Sequence, residues 1–187
     1  MIILKDIIEV YRLGLIIDYY SVEEVIDWTD YIIEIEEQPD YEIIDISLSK
    51  KNGINLIVEK LNQIEYERKW DMPLKVLLGL LYKDLLKNKG SVDYLKSFAK
   101  KLYKFSLNIT DESVGVDVKY DIFTAEDHLE SALYYDTNVT VEAFIMRMES
   151  LLEPFYIYAM EYENSIYKKR KKEAFEREKK IDIGGDW

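Results

Sequence analysis

The chain contains no cysteine and a single histidine among its 187 residues. The absence of cysteine excludes disulfide bonds, zinc sites with thiolate ligands, iron–sulfur clusters and catalysis by a thiol nucleophile. A single histidine also excludes metal sites that are built from several imidazole rings. We therefore predict that the protein holds neither a metal ion nor another cofactor.

Glycine and proline are scarce, with seven and three residues respectively. A phosphate-binding loop needs closely spaced glycines between a strand and a helix. The one glycine pair, Gly184 and Gly185, lies at the extreme end of the chain, and the other glycines are isolated. This distribution excludes a nucleotide-binding loop and favours a helical composition.

Long apolar runs are also missing. The longest, such as Pro154 to Met160, are about a third of the roughly 20 residues that cross a bilayer. The first ten residues include Lys5, Asp6 and Glu9, whereas a signal peptide needs an uninterrupted apolar stretch. We expect a cytoplasmic protein that does not bind membranes.

The fold class follows from composition and periodicity. With 48% hydrophobic and 33% charged residues, a chain of this length buries one core. Apolar residues recur at helical spacing along most of it. We predict a mainly α fold, a single-domain orthogonal array of about seven to eight helices over residues 1–167, followed by a charged helical extension and frayed tail over 168–187.

Several polar residues mark predicted helix boundaries. Ser21 with Glu24 forms a capping-box pattern, which places the start of a helix near Val22 and its end before Pro39. Similar signals are the pair Asp71 and Pro73, the pair Thr124 and Asp127, and Thr140 at the start of a long final helix. We expect Pro154 to kink that helix or to end its first part.

One segment has a different period. Between residues 114 and 122, valine, tyrosine and isoleucine alternate with glycine, aspartate and lysine, which is typical of a half-buried strand. A lone strand needs a partner, and the chain offers only weak candidates. We therefore expect either one short strand or an extended connection here.

Charge is segregated along the chain. Residues 1–47 and 105–167 each hold 13 acidic and two basic side chains, so each block carries −11. Residues 83–104 and 168–180 each carry +5, and the whole chain carries −12. An overall negative charge repels phosphates, so we expect no nucleic acid as a partner.

Five acids of the first block follow each other at steps of four, three, four and three residues: Glu23, Asp27, Asp30, Glu34 and Glu37. This spacing predicts a stripe of carboxylates along one helix face, about 20 Å long at 1.5 Å per residue. Like charges at these spacings destabilise a helix. The stripe is either a solvated surface or a docking face for a basic partner, whereas a straight helix face does not wrap a calcium ion.

The basic stretch from Lys168 to Lys172 has three interpretations. It resembles a nucleic-acid patch, but Glu173, Glu176 and Glu178 interleave with the bases that follow it. That pattern is typical of a helix stabilised by spaced ion pairs. The third interpretation is docking of this stretch onto an acidic block of the same chain.

No residue pattern indicates a catalytic site. His128 lies between acids, but no activated nucleophile accompanies it, and a histidine on a helix surface is the simpler interpretation. Sixteen tyrosines are more unusual. Tyrosine is frequent in protein interfaces and equally at the edge of helical cores. We predict no catalytic residues and no enzyme.

A resemblance extends over roughly residues 10–64. It is carried by Arg12-Leu13-Gly14-Leu15, by Ser21 through Trp28 to Asp30, by Pro39, and by Tyr41 through Ser49. This arrangement resembles a group of small bacterial helical proteins, some of which are immunity proteins that neutralise polymorphic or contact-dependent toxins. The resemblance implies a helical module at these capping, core and turn positions, and it transfers no active site.

The leading hypothesis is an acidic binding protein that neutralises a cognate basic toxin, such as a nuclease, through the five acids of the stripe. We expect it to be a monomer or a weak homodimer. The alternatives are a small helical enzyme or ligand-binding domain of unknown substrate, and a structural subunit that associates with itself through the kinked final helix.

Overall fold

The computed structural model describes residues 2–64, 71–109, 114–134 and 140–165. Within these ranges the chain forms nine α-helices and no strand, so the predicted mainly α fold is confirmed. The helices are α1 (Leu4–Ile16), α2 (Val22–Ile35), α3 (Tyr41–Ser47), α4 (Ile54–Gln63), α5 (Asp71–Asn88), α6 (Val92–Ser106), α7 (Val116–Phe123), α8 (Ala125–Tyr134) and α9 (Val141–Leu152). A 3₁₀ turn over Glu153–Phe155 and a helical stretch over 156–165 follow.

The predicted cap of α2 is present. The hydroxyl of Ser21 accepts from the amide of Glu24 at 3.2 Å, and the carboxylate of Glu24 accepts from the amide of Ser21 at 2.8 Å. Thr140 caps α9 in the same way, accepting from the amide of Ala143 at 3.1 Å. Thr124 differs, because its hydroxyl donates to the carbonyl of Tyr120 at 3.0 Å and so closes the end of α7.

The short strand or extended connection expected over 114–122 is wrong in both alternatives, because residues 116–123 form the helix α7. Val118 packs against the core and Ile122 is fully buried, whereas Val116 and Tyr120 are more than half exposed. Residues four apart share a helix face, and residues two apart do not. The alternating pattern therefore belongs to a helix with residues 118 and 122 on its inner face. With this helix the described residues form nine α-helices, compared with the predicted seven to eight.

Helix α5 lies at the centre of the fold. It packs against α1 on one side and against α6, α9 and the 3₁₀ turn on others. Nine of its residues are buried, around most of its circumference, as expected for a helix enclosed by other helices. Gly79 permits a close approach, because a Cβ there would lie 2.3 Å from the carbonyl oxygen of Phe155.

The predicted break at Pro154 is confirmed. Helix α9 ends at Leu152, Pro154 lies within the 3₁₀ turn, and the helix resumes at residue 156. The ring of a proline clashes with the preceding turn and removes one hydrogen bond, which explains the break. The described residues share one hydrophobic core. The charged extension predicted over 168–187 lies outside them.

Candidate partner-binding surface

Four of the five predicted stripe residues lie together on α2. Glu23, Asp27, Asp30 and Glu34 are all exposed, on the side opposite the buried Val25, Thr29 and Ile32. They span about 16 Å at 1.5 Å per residue. The structure therefore places these carboxylates on one continuous, solvent-facing strip.

Glu37 leaves this strip. Helix α2 ends at Ile35, and Glu36 has an extended backbone with ψ 131°. Carboxylates in a last helical turn interact unfavourably with the negative end of the helix dipole, and the last turn of α2 holds no base. The predicted five-residue stripe is thus four residues on the helix, with Glu37 exposed in the following loop.

The surroundings of the strip contain little positive charge. Residues 13–49 hold eleven acids and no lysine, arginine or histidine. Within the described ranges, Lys60 pairs with Asp45 at 2.5 Å, Lys104 pairs with Asp18, and Lys101 lies over the ring of Tyr19 at 5.8 Å from its centroid. Glu23, Asp27 and Glu37 form no ion pair with any residue of the described part of the chain.

Apolar side chains accompany these acids. Helix α3 packs against α2, and Ser47 of α3 donates a hydrogen bond to the carboxylate of Asp30. At the two ends of α3, Tyr41 is 75% exposed and Leu48 is 80% exposed. The exposed side of α2 and α3, hereafter the acidic corner, therefore combines carboxylates with large apolar groups. Such a mixture is typical of protein interfaces.

A cluster of aromatic side chains packs against the buried side of α2. Tyr11 of α1 lies between Tyr20 and Trp28, with ring centroids 4.6 Å and 4.7 Å away. Tyr20 also contacts Tyr19 edge to face at 4.9 Å, and its hydroxyl lies 3.4 Å from that of Tyr162 in the final helix. Aromatic pairs in these geometries add to the energy of burial. The acidic corner thus rests on a well-packed base.

The pKa values of three hydroxyls in this cluster, those of Tyr19, Tyr20 and Tyr162, are raised. Burial raises the pKa of Tyr20 above its ordinary value of 10.0, and burial raises that of Tyr162 as well. The pKa of Tyr19 is raised first by burial and then by the nearby carboxylate of Asp84. All three hydroxyls are therefore protonated at pH 7, so these rings add no charge to the cluster.

Sequence patterns did not indicate the buried ion pair of α1. Glu9 and Arg12 are 1% and 6% exposed, and the guanidinium Nε donates to the Glu9 carboxylate at 2.8 Å. A second guanidinium nitrogen contacts the other carboxylate oxygen. The only hint in the sequence is that Glu9 and Arg12, three residues apart and opposite in charge, interrupt the apolar stretch from Ile7 to Ile17.

A small apolar pocket adjoins the acidic corner, with a volume of about 170 Å³. We call it the α1–α2 pocket, and it is lined by Ile2, Leu4, Ile7, Trp28, Tyr31, Ile32 and Ser165. Cavities of about 150 Å³ hold a molecule of the size of benzene. The pocket therefore has room for about one large side chain.

A larger groove of about 480 Å³ separates α6 from α8. Lys96 and Lys100 stand on its α6 side, and Glu126 and Glu130 stand on its α8 side. Lys96 donates to the Tyr134 hydroxyl at 2.7 Å, and this bond raises the pKa of the lysine. The groove is mixed in charge, unlike the acidic corner.

His128 does not line that groove. The residue is half-buried on α8, and its Nδ1 atom is buried without a hydrogen-bond partner in the described residues. No group of three or more histidine, aspartate or glutamate side chains in residues 2–64, 71–109, 114–134 and 140–165 could hold a metal ion. The described residues around His128 thus form no metal site.

Comparison with known proteins identifies no relative: no protein-family model matches the chain, and no curated protein or solved structure is significantly similar to it. Across the same described ranges, every helix is either too short or too polar to cross a bilayer. The function must therefore be inferred from the geometry and charge of this chain.

Proposed function

We propose that this protein is an acidic inhibitor that binds a basic protein partner through the acidic corner. The proposed partner is a toxin with a basic substrate groove, such as a nuclease, and the proposed role is that of a cytoplasmic immunity protein. The residues proposed to make the contact are Glu23, Asp27, Asp30, Glu34 and Glu37.

The observation that carries the proposal is the distribution of charge around α2 and α3. A run of 37 residues, 13–49, contains eleven acids and no base. Most of this run forms α2, α3 and the loops beside them, and Tyr41 and Leu48 are exposed at the two ends of α3. A stretch that is merely solvated gains nothing from lacking bases of its own, because mixed charges at helical spacing stabilise a helix.

The two kinds of side chain have different roles in binding. Carboxylates on a surface of one sign steer a basic partner towards it and accelerate encounter. Large apolar groups such as Tyr41 and Leu48 lose water in the complex, and their burial slows dissociation. A complex of this kind covers the basic groove of the partner and so blocks its substrate.

The direct test is to mix the purified protein with the product of the adjacent gene. We expect the two proteins to co-elute as one complex in size-exclusion chromatography, and any nuclease activity of the product to disappear at equimolar inhibitor. Absence of a complex would count against the proposal. So would a complex that is equally tight when Asp27, Asp30 and Glu34 are changed to lysine.

The groove between α6 and α8 supports a second candidate, a small ligand-binding domain. Its volume of about 480 Å³ lies in the range of pockets that bind small molecules. Against this candidate, His128 is not among its lining residues. A ligand of that class would protect the protein against thermal unfolding, whereas a protein partner of the acidic corner would leave this groove open.

A further inference from the structure

The α1–α2 pocket lies beside the carboxylates of α2. Tyr31, on its wall, follows Asp27 by four residues and precedes Glu34 by three. Residues at these spacings are neighbours on a helix surface, so both acids lie beside Tyr31 on α2. Any chain segment that fills the pocket with an apolar side chain is therefore placed next to exposed carboxylates.

The described part of the final helix ends at the same pocket. Ser165 contributes to its wall, together with Trp28 and Ile32 of α2. The next residues in the sequence are Ile166 and Tyr167, which are large and apolar enough to enter it. Because Ile166 follows Ser165 directly in the chain, binding of this part of the chain in the pocket needs no encounter between two molecules.

The sequence that continues from Ser165 complements the acidic corner in charge. Residues 166–187 number 22, and within them 168–180 hold eight bases and three acids. Extended chain covers about 3.3 Å per residue, so about five residues span the 16 Å of the α2 strip. The segment is therefore long enough and basic enough to cover the strip.

We propose that residues 166–187, hereafter the basic segment, dock onto α2 of the same molecule. An apolar side chain of the segment enters the α1–α2 pocket, and its bases lie along Asp27, Asp30 and Glu34. Because the segment is tethered, its effective concentration at this surface is of the order of millimolar. A basic partner must then displace it, a consequence that rests on the proposed function, whereas the docking itself does not.

The absence of cysteine makes a clean test possible. A single Ala174→Cys substitution in the full-length chain carries a nitroxide spin label, and the amide signals of the labelled protein are recorded by NMR with the label oxidised and then reduced. We expect the oxidised label to weaken the signals of α2 around Tyr31, and to leave those of α7 unchanged. Equal weakening of α2 and α7, or no weakening of α2, would overturn the proposal.

Charge reversal provides a matched control within the same experiment. Lysine replaces Asp27, Asp30 and Glu34 in one labelled variant, and it replaces the exposed acids Asp117, Asp127 and Glu130 in the other. We expect the signal loss on α2 to disappear in the first variant and to persist in the second. The same loss in both variants would show that the acids of α2 do not hold the segment.

The dependence of the signal loss on salt is an independent measurement, made on the spin-labelled protein without charge reversal. Raising the ionic strength from about 0.05 M to about 0.5 M shortens the screening length several-fold, so we expect the signal loss on α2 to decrease. A loss that is unchanged by salt would contradict docking by charge. None of these measurements involves a partner, so their failure is separate from failure of the proposed inhibitor function.

Discussion

Two charges in the core of α1 show how single residues constrain this protein. Removing a carboxylate and a guanidinium from water costs several kcal/mol per ion, which their attraction offsets only in good geometry. Glu9 and Arg12 meet this condition because the guanidinium contacts both carboxylate oxygens. Removing either the carboxylate or the guanidinium alone is therefore expected to destabilise the protein.

We expect Arg12→Met to lower the free energy of unfolding by about 3–5 kcal/mol, because it leaves the Glu9 carboxylate buried without this partner. Urea unfolding followed by circular dichroism measures the change. The double variant Glu9→Leu with Arg12→Met should be more stable than Arg12→Met alone. A double variant that is less stable than the single one would show that the pair does not explain the burial.

The buried tyrosines predict how stability depends on alkaline pH. A pKa that is raised in the folded state means that the unfolded chain loses its protons first as the pH rises. Stability is then complete below pH 10, the ordinary pKa of tyrosine, and decreases above it. We expect Tyr20→Phe to reduce this decrease, as measured by urea unfolding between about pH 8 and pH 11.

Tyr41→Phe is the control for this measurement, because Tyr41 is 75% exposed. Its removal should leave the alkaline decrease in stability as it is in the original protein. If the two substitutions changed the pH dependence equally, burial would not be the cause of the effect.

Among the elements, α7 shows most clearly what the sequence could and could not predict. Its alternation of apolar and polar residues is typical of a strand, yet positions 118 and 122 are also four apart and so share a helix face. When every second residue of a nine-residue segment is apolar, the pattern fits a strand and also contains apolar pairs four residues apart. It therefore does not distinguish a strand from a helix. Packing against α6 and α8 decides in favour of the helix.

Two substitutions distinguish these structures experimentally. In the helix, Ile122 is fully buried and Val116 is 65% exposed, whereas a strand would place both on one face. We expect Ile122→Ala to cost about 2–5 kcal/mol and Val116→Ala to cost less than about 0.5 kcal/mol, in urea unfolding experiments. Similar costs at both positions would contradict the helix.

The helix boundaries were more predictable because their causes are local. The cap at Ser21, the start of α5 and the break at Pro154 each follow from one or two residues and the backbone groups beside them. The burial of the Glu9–Arg12 pair and the shape of the α1–α2 pocket depend on several helices, which contact each other only in the folded protein. The spacing of residues within one helix does not predict these contacts between helices.

On the scale of the whole molecule, charge and structure divide the chain in the same way. The acids of residues 13–49 collect on α2, α3 and the loops beside them, whereas the lysines of 83–104 lie on the end of α5, on α6 and in the loop between them. The net charge of −12 is therefore not spread evenly over the surface. The predicted stripe became a four-residue strip with exposed Tyr41 and Leu48 on the neighbouring helix, and this combination is the basis of the inhibitor proposal.

The most direct test of that proposal is the rate of association with the product of the adjacent gene, measured by stopped-flow at low salt. Changing Asp27, Asp30 and Glu34 to lysine adds two charge units at each position, so the net charge falls from −12 to −6. The same changes at Asp117, Asp127 and Glu130 provide a control of equal net charge. We predict that the first variant associates about tenfold or more slowly than the control. Equal rates for the two variants would contradict binding through the acidic corner.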